Sequence, residues 1–588
     1  MFSRLARTAV TSLSLGLLIL IPGLSYAVEA IPAPPTSPVQ ALIERYTTDH
    51  DLLVNVYPDP LSPASQQRMQ RFLQDWRSRL KTVDFSSLDQ EGKTDYLLLS
   101  NHIQREEHAM QLGERQWKAV EPLLPVASDL FALEDQHRRV EHPDAQKTAA
   151  LLNSMTARLL AKQKELESFS ADAKGRPDRI TAWRAADDLD AMHEQLRQWF
   201  NFYHGYDPQF TWWVDQPWKA LDAELKSYSG FLREKIAGIA PDDKTTIIGS
   251  PVGRQALVDQ LNDEMVPYTP EELITMARQQ MEWCKREMLR ASREMGYGDD
   301  WHKALEQVKN HYVEPGKQPQ MIMDLARQGE DFVVKNQLVS VPDLAHEGWR
   351  TEMMTPERQM VNPFFTGGDT ISISYPTDTM TFDQRLMSMR GNNYGFAHAT
   401  VFHELIPGHW LQEYSTARYR PYRQLFSTGF WIEGNSLYWE LEFWDRGFNT
   451  TPEERIGALF WRMHRCARII FSLSFHLGQM TPEQAIDYLV SEVGHERDNA
   501  AAEVRRSFNG SYDPLYQCAY LVGGMQFRAL REELVTSGKM TDSQFNDAIL
   551  HENMMPLELV RGILENQPLT PDYKAHWRFL DAKINRAN

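Results

Sequence analysis

Apolar side chains recur at three- and four-residue intervals along most of the chain, the period of helices that bury one face. The stretches SPASQQRMQRFLQDWRSRL (residues 62–80) and AAEVRRSF (501–508) show it clearly. Four helix starts can be read directly. Thr269-Pro270-Glu271-Glu272, Thr451-Pro452-Glu453-Glu454 and Thr481-Pro482-Glu483-Gln484 each join a capping Thr to Pro at the first helical position and an acid or amide at the third. Thr541 with Gln544 repeats the box without the proline. One segment breaks the helical period. In GGDTISISYP (367–376) Ile371, Ile373 and Tyr375 alternate with Thr370, Ser372 and Ser374 between glycines and a proline, which predicts a short strand. The expected architecture is mainly α, with one short β element preceding the segment around residue 403.

The ends and joints are also legible. Residues 1–27 carry Arg4 and Arg7, then an apolar run, then small residues ending at Ala27. That order predicts a secretory signal peptide cleaved after Ala27 and an exported, periplasmic protein. A proline-rich leader (28–38) follows. The Pro- and Gly-rich stretch at 238–253 suggests an N-terminal helical half (39–250) and a C-terminal half (251–588). No later apolar run is long enough to span a bilayer, so no stable membrane insertion is expected after cleavage. Removing residues 1–27 takes away two Arg and no acid, leaving 60 basic and 80 acidic side chains. Such an acidic balance argues against nucleic acid and anionic surfaces as partners. Cys284, Cys466 and Cys518 are too few and too scattered for a disulfide scaffold or a thiolate zinc site, and read as buried thiols, with a single bridge left open.

His-Glu occurs at 193, 346, 403, 495 and 551, but only His403 has a second His within seven residues. The stretch is HELIPGHWLQ, residues 403–412. His403 and His409 are six apart. On a straight helix they would diverge by about 240° and about 9 Å, too far for one ion, whereas four-residue spacing leaves about 40° and about 6 Å. Pro407 interrupts the helix, because it cannot donate to the His403 carbonyl and its ring collides with that carbonyl. Gly408 would supply a positive φ for the returning turn. The pair is thus expected to converge on one Zn2+, which needs a third protein ligand and an open position. Twenty-four residues after His409, Glu433 stands in an aromatic helical segment where an unpaired carboxylate would be costly to bury. Glu440 and Glu442 lie further along. Glu404 is expected to serve as general base and then acid. Lone histidines such as His398, His464 and His476 read as core residues.

HELIPGHWLQ, WIEGNSLYWE (431–440), YDPLYQCAYLVGGMQFRALREE (512–533) and FNDAILHENMMPLELVRGIL (545–564) resemble bacterial domain-of-unknown-function family 885 over residues 40–585. That family is similar to gluzincin metallopeptidases, akin to thimet oligopeptidase and angiotensin-converting enzyme. The resemblance implies a mainly helical fold with a deep channel between two halves, and one zinc held by two His and a later Glu. The longer spacing within the first motif departs from those relatives, and EGN (433–435) stands where part of the family has EGW. The resemblance also implies an oxyanion-stabilising tyrosine, with Tyr520 the first choice and Tyr516 the second. Arg505 and Arg506 are candidates to hold a substrate carboxylate. A strand carrying Ile373 could align an extended peptide by backbone pairing. The expected activity is hydrolysis of peptide bonds in oligopeptides. A zinc hydrolase of other amides or esters, and a non-catalytic peptide-binding relative, are the alternatives. Oligomeric state is left open.

Overall fold

The computed structural model describes residues 37–581 except 171–172, 244, 360–363 and 511. The signal peptide, its cleavage point and nearly all of the proline-rich leader lie outside the described residues.

The described chain is mainly α, as the apolar periodicity requires. All four capping boxes form, each with the Thr side chain accepting from the third residue's N–H and that residue's side chain accepting from the Thr N–H. A fifth, Thr381 with Gln384, starts Phe382–Gly391 in the same way. The expected strand forms as β2 (Thr370–Ile373) and pairs in parallel with β1 (Arg350–Met353), whose own sequence had given no such signal.

Six helices carry the region of interest. They are α1 (Tyr394–Glu404), α2 (His409–Thr416), α3 (Gly429–Asp445), α4 (Pro452–His476), α5 (Arg497–Phe508) and α6 (Tyr516–Arg531). α4 is the central rod, with every residue from Leu459 to His476 buried. A helix apolar on all faces belongs inside, and the polar side chains it carries inward (Arg465 and Arg468 among them) must find partners there.

The apolar side chains part differently from the 39–250 and 251–588 division. Residues Val39 to Ile103 share one cluster with Leu257 to Phe579, while Val120 to Leu232 form another. A buried charge cluster ties the early helix Gln90–Val120 to this shared core. Arg423, fully buried, bonds Asp95 at 2.8 Å and Glu552 at 2.6 Å, and pairs with Glu91. Removing one partner from such a cluster is costly, because the remaining charges cannot reach water.

α3 and α6 cross at glycines. A Cβ on Gly434 would lie 2.6 Å from the Gly523 Cα, and one on Gly523 would lie 2.0 Å from the Phe430 carbonyl oxygen. The two backbones therefore touch, and side chains flanking the crossing meet. Gly523→Ala is expected to lower stability by about 1–3 kcal/mol through overpacking, measured by denaturant unfolding. Gly113→Ala, in a helix with nothing within 4 Å of the added atom, should be neutral or stabilising by up to about 1 kcal/mol. Equal effects at the two sites would show that the crossing is not tight.

Candidate metal centre

The helix carrying His403 stops where Pro407 requires. α1 ends at Glu404 and α2 begins at His409. Between them the Gly408 N–H donates to the Phe402 carbonyl at 3.0 Å and Leu411 to Leu405 at 3.3 Å, so the chain is bonded across the break rather than frayed. The Ile406–Pro407 peptide is cis. Gly408 differs from expectation. Its φ is −85°, not positive. The requirement is space: a Cβ there would lie 1.8 Å from the His403 carbonyl oxygen.

This reversal returns His409 to the face of His403. Their ring centroids are 4.9 Å apart and the planes nearly perpendicular. Glu433, one position before the Gly434 crossing, enters from α3. Its Oε2 lies 3.5 Å from His403 Nε2 and 3.3 Å from His409 Nε2. Donors around a tetrahedral zinc with bonds of 2.0–2.2 Å stand about 3.3–3.6 Å apart. Glu433 Oε2 is also buried with no hydrogen-bond partner. A buried carboxylate oxygen facing two imidazole nitrogens, none bonded to it, fits a divalent cation in their midst.

Glu404 is a rival third donor, since His403, Glu404 and His409 offer donor atoms within 4.8 Å of one another. Its Oε2 already accepts the Gly367 N–H at 2.7 Å, whereas Glu433 Oε2 has no donor. Glu433 is therefore the better candidate ligand, and Glu404 stands beside the cluster on its own backbone partner. The contact needs Gly367, where a Cβ would meet the Glu404 carbonyl oxygen at 2.3 Å.

The electrostatics are strongly coupled. Burial alone would raise the Glu433 carboxyl, but His409 and His403 outweigh it and hold the group well below the usual carboxylate range. Burial opposes charge on His409, yet Glu433 and Glu404 lift it to about 9. A metal takes over the role of those protons, so binding it would release them.

Supporting groups surround the triad. Glu440, seven residues after Glu433 and so on the same face of α3, places Oε1 2.7 Å from His403 Nδ1, without hydrogen-bond geometry but close enough to bias the imidazole's tautomer and orientation. The i+7 spacing could have identified it. His409 Nδ1 has Gln412 and Ser436 at 3.3 Å. The Tyr516 hydroxyl donates to Glu433 Oε1, so this tyrosine orients that carboxylate. The Tyr520 ring stacks on His403 with centroids 6.2 Å apart, and Tyr520 lines the same cavity of about 300 Å³.

Two other expected residues fall elsewhere. Arg506 lines the cavity, but Arg505 donates to the Thr245 carbonyl at 3.1 Å and does not. Ile373 is 1% exposed and packs with Ile371, Val401 and Leu405 rather than facing the cavity. Nor is β2 a free edge at its centre. β1 flanks one side, and Ser372 exchanges both backbone hydrogen bonds with Thr366 on the other. The cavity wall is formed instead by residues 364–367. The three cysteines are buried free thiols.

The chain is thus a mainly helical protein in which His403, His409, Glu404 and Glu433 line one cavity. The chain belongs to the family described as bacterial protein of unknown function (DUF885), which matches residues 46–564. A solved lipoprotein candidate of unknown function from Shewanella oneidensis is similar in fold (TM-score 0.64), at 17% identity over 90% of this chain and all of that one. A second lipoprotein candidate, from Colwellia psychrerythraea, aligns at 16% identity over 72% of this chain and 74% of that one, with a TM-score of 0.49. No curated protein matches the chain.

Glu433→Gln is expected to lose the metal on dialysis, while Glu440→Gln should weaken metal affinity by about 10–100-fold, both read by elemental analysis and chelator competition. A Glu433→Gln protein that keeps one ion at unchanged affinity would assign the third ligand to Glu404 instead.

Proposed function

We propose that this protein is an exported zinc-dependent peptidase acting on oligopeptides. The observation that carries the reading is the placement of Glu433 Oε2, buried and unbonded, 3.3–3.5 Å from both histidine Nε2 atoms. A second carboxylate, Glu404, is held beside it by a backbone N–H. His403, His409 and Glu433 would hold the ion. When bound, a zinc ion supplies Lewis acidity, polarising a carbonyl and acidifying water.

The remaining work falls to the chain. Glu404 takes a proton from the attacking water and returns it to the leaving amine. The Gly367 N–H fixes one of its oxygens, which leaves the other for proton transfer. Tyr520, lining the cavity next to His403, offers its hydroxyl to the carbonyl oxygen as negative charge develops there. Tyr516 and Glu440 act through Glu433 and His403, keeping the ligands in place. The phenols suit donation rather than ionisation, since burial raises both Tyr516 and Tyr520 above their ordinary value. The leader at residues 1–27, with its basic start and small residues before Ala27, supports export and a periplasmic location.

Glu404→Gln is the decisive variant. Peptide-library hydrolysis read by mass spectrometry should fall by about 10²–10⁴-fold, with zinc content unchanged. Hydrolysis at the wild-type rate by this variant overturns the assignment. An unaltered protein that cleaves simple amides or esters but no peptide supports the non-peptide hydrolase. One that binds peptides and turns over nothing supports a binding protein.

A further inference from the structure

The cavity that holds the expected metal ligands also has a cationic wall, to which α4 contributes Arg465 and Arg468 and α5 contributes Arg506. Arg468 is only 3% exposed. Glu503 serves two of these arginines. Arg468 Nε lies 2.6 Å from Glu503 Oε1, and Arg506 Nε lies 3.0 Å from Oε2 of the same residue. Arg465 is 3.4 Å from Glu440, which also faces His403. His464 and His495, hydrogen-bonded to each other at 2.8 Å, are kept neutral by burial and the neighbouring arginines, so they add no further cation.

Arg468 Nη1 is buried and has no hydrogen-bond partner. A guanidinium presents its donors in a fixed fork suited to a carboxylate, and leaving one end unmet in a buried site is costly. Arg468 thus keeps a donor that an incoming acceptor can meet, a carboxylate best of all.

Tyr520 sets an upper limit on the distance. Its ring has the Arg468 guanidinium carbon 4.5 Å from its centroid and the His403 ring at 6.2 Å. Together these bound the guanidinium-to-imidazole separation at about 11 Å, the length of roughly three extended residues.

We propose that Arg468, with Arg506 beside it, receives the free C-terminal carboxylate of the substrate, so that the protein removes one to three residues from the carboxyl end of peptides. This rests on the peptidase reading and narrows it from peptides in general to those with an unblocked C-terminus.

The test uses the zinc-loaded protein and three peptides: one sequence as the free acid and as the C-terminal amide, and that amide with a glutamate substituted near its end. The free acid should be cut within three residues of its end, and amidation should lower kcat/KM by about 10–100-fold, the loss of a charged hydrogen-bonded contact. Arg468→Gln should lower kcat/KM for the acid and erase its advantage over the amide. Calorimetry on the Glu404→Gln protein supplies a readout independent of turnover: an N-acetylated tripeptide acid should bind more tightly than its amide by a similar factor.

Acid and amide cut equally, or cuts at internal bonds, overturn the inference while leaving a peptidase. The glutamate-bearing amide cut as fast as the acid overturns the terminal assignment, since a side-chain carboxylate would then suffice. Hydrolysis of no peptide in any form overturns both readings. Because the substrate comparison needs no mutation, it decides even if the Arg468 variant fails to fold.

Discussion

The candidate centre depends on one close approach: the Gly408 backbone lying against the His403 carbonyl, where even a methyl group would sit 1.8 Å from the oxygen. A continuous helix separates residues 403 and 409 by more than one ion can bridge. Ending α1 at Glu404 and restarting at His409 removes that separation. The cost of a broken helix is limited because the segment keeps its own hydrogen bonds, Gly408 to Phe402 and Leu411 to Leu405. Everything arranged about His403 and His409 assumes this geometry.

A second close approach brings in Glu433. Gly434 and Gly523 let α3 and α6 touch along their backbones, which places Glu433 and Tyr516 on facing surfaces within hydrogen-bonding reach. Burial would protonate an isolated carboxyl in that position, but the two imidazoles reverse the balance. The same low-dielectric surroundings strengthen the contacts of Glu440 with His403 and of Arg468 and Arg506 with Glu503. The centre is thus a set of charges that tolerate burial only in one another's company. That is also why the helices bearing them must pack closely.

Some of this is legible in the local sequence. Four capping boxes formed at the threonines that announced them, and the fifth, at Thr381, carried the same signature. The strand at 370–373 was visible in its alternation. His403, His409, Glu404 and Glu433 could be singled out because charged and metal-binding side chains in apolar helices need a reason to be there. Ile373 and Arg505 show the limit of that reasoning. Position along a strand or helix does not reveal which face meets the core: Ile373 turned inward, and Arg505 bonds Thr245 on a segment 260 residues away in sequence. β1, exposed and without alternation, carried no signal of its own and pairs only because β2 lies beside it.

The sequence by itself determined the mainly α character, the helix starts and the break between the two histidines, because periodicity, capping chemistry and proline stereochemistry act over a few residues. Tertiary structure decided which carboxylate faces both imidazoles, that Gly367 holds Glu404, that Glu440 lies against His403 and that Arg465 and Arg468 of α4 lie over Tyr520. It also decided that Gly408 is needed for space rather than for a positive φ. These outcomes depend on backbones remote in sequence meeting at distances of a few ångströms. Such distances are set by the packing of whole helices, which no local pattern encodes.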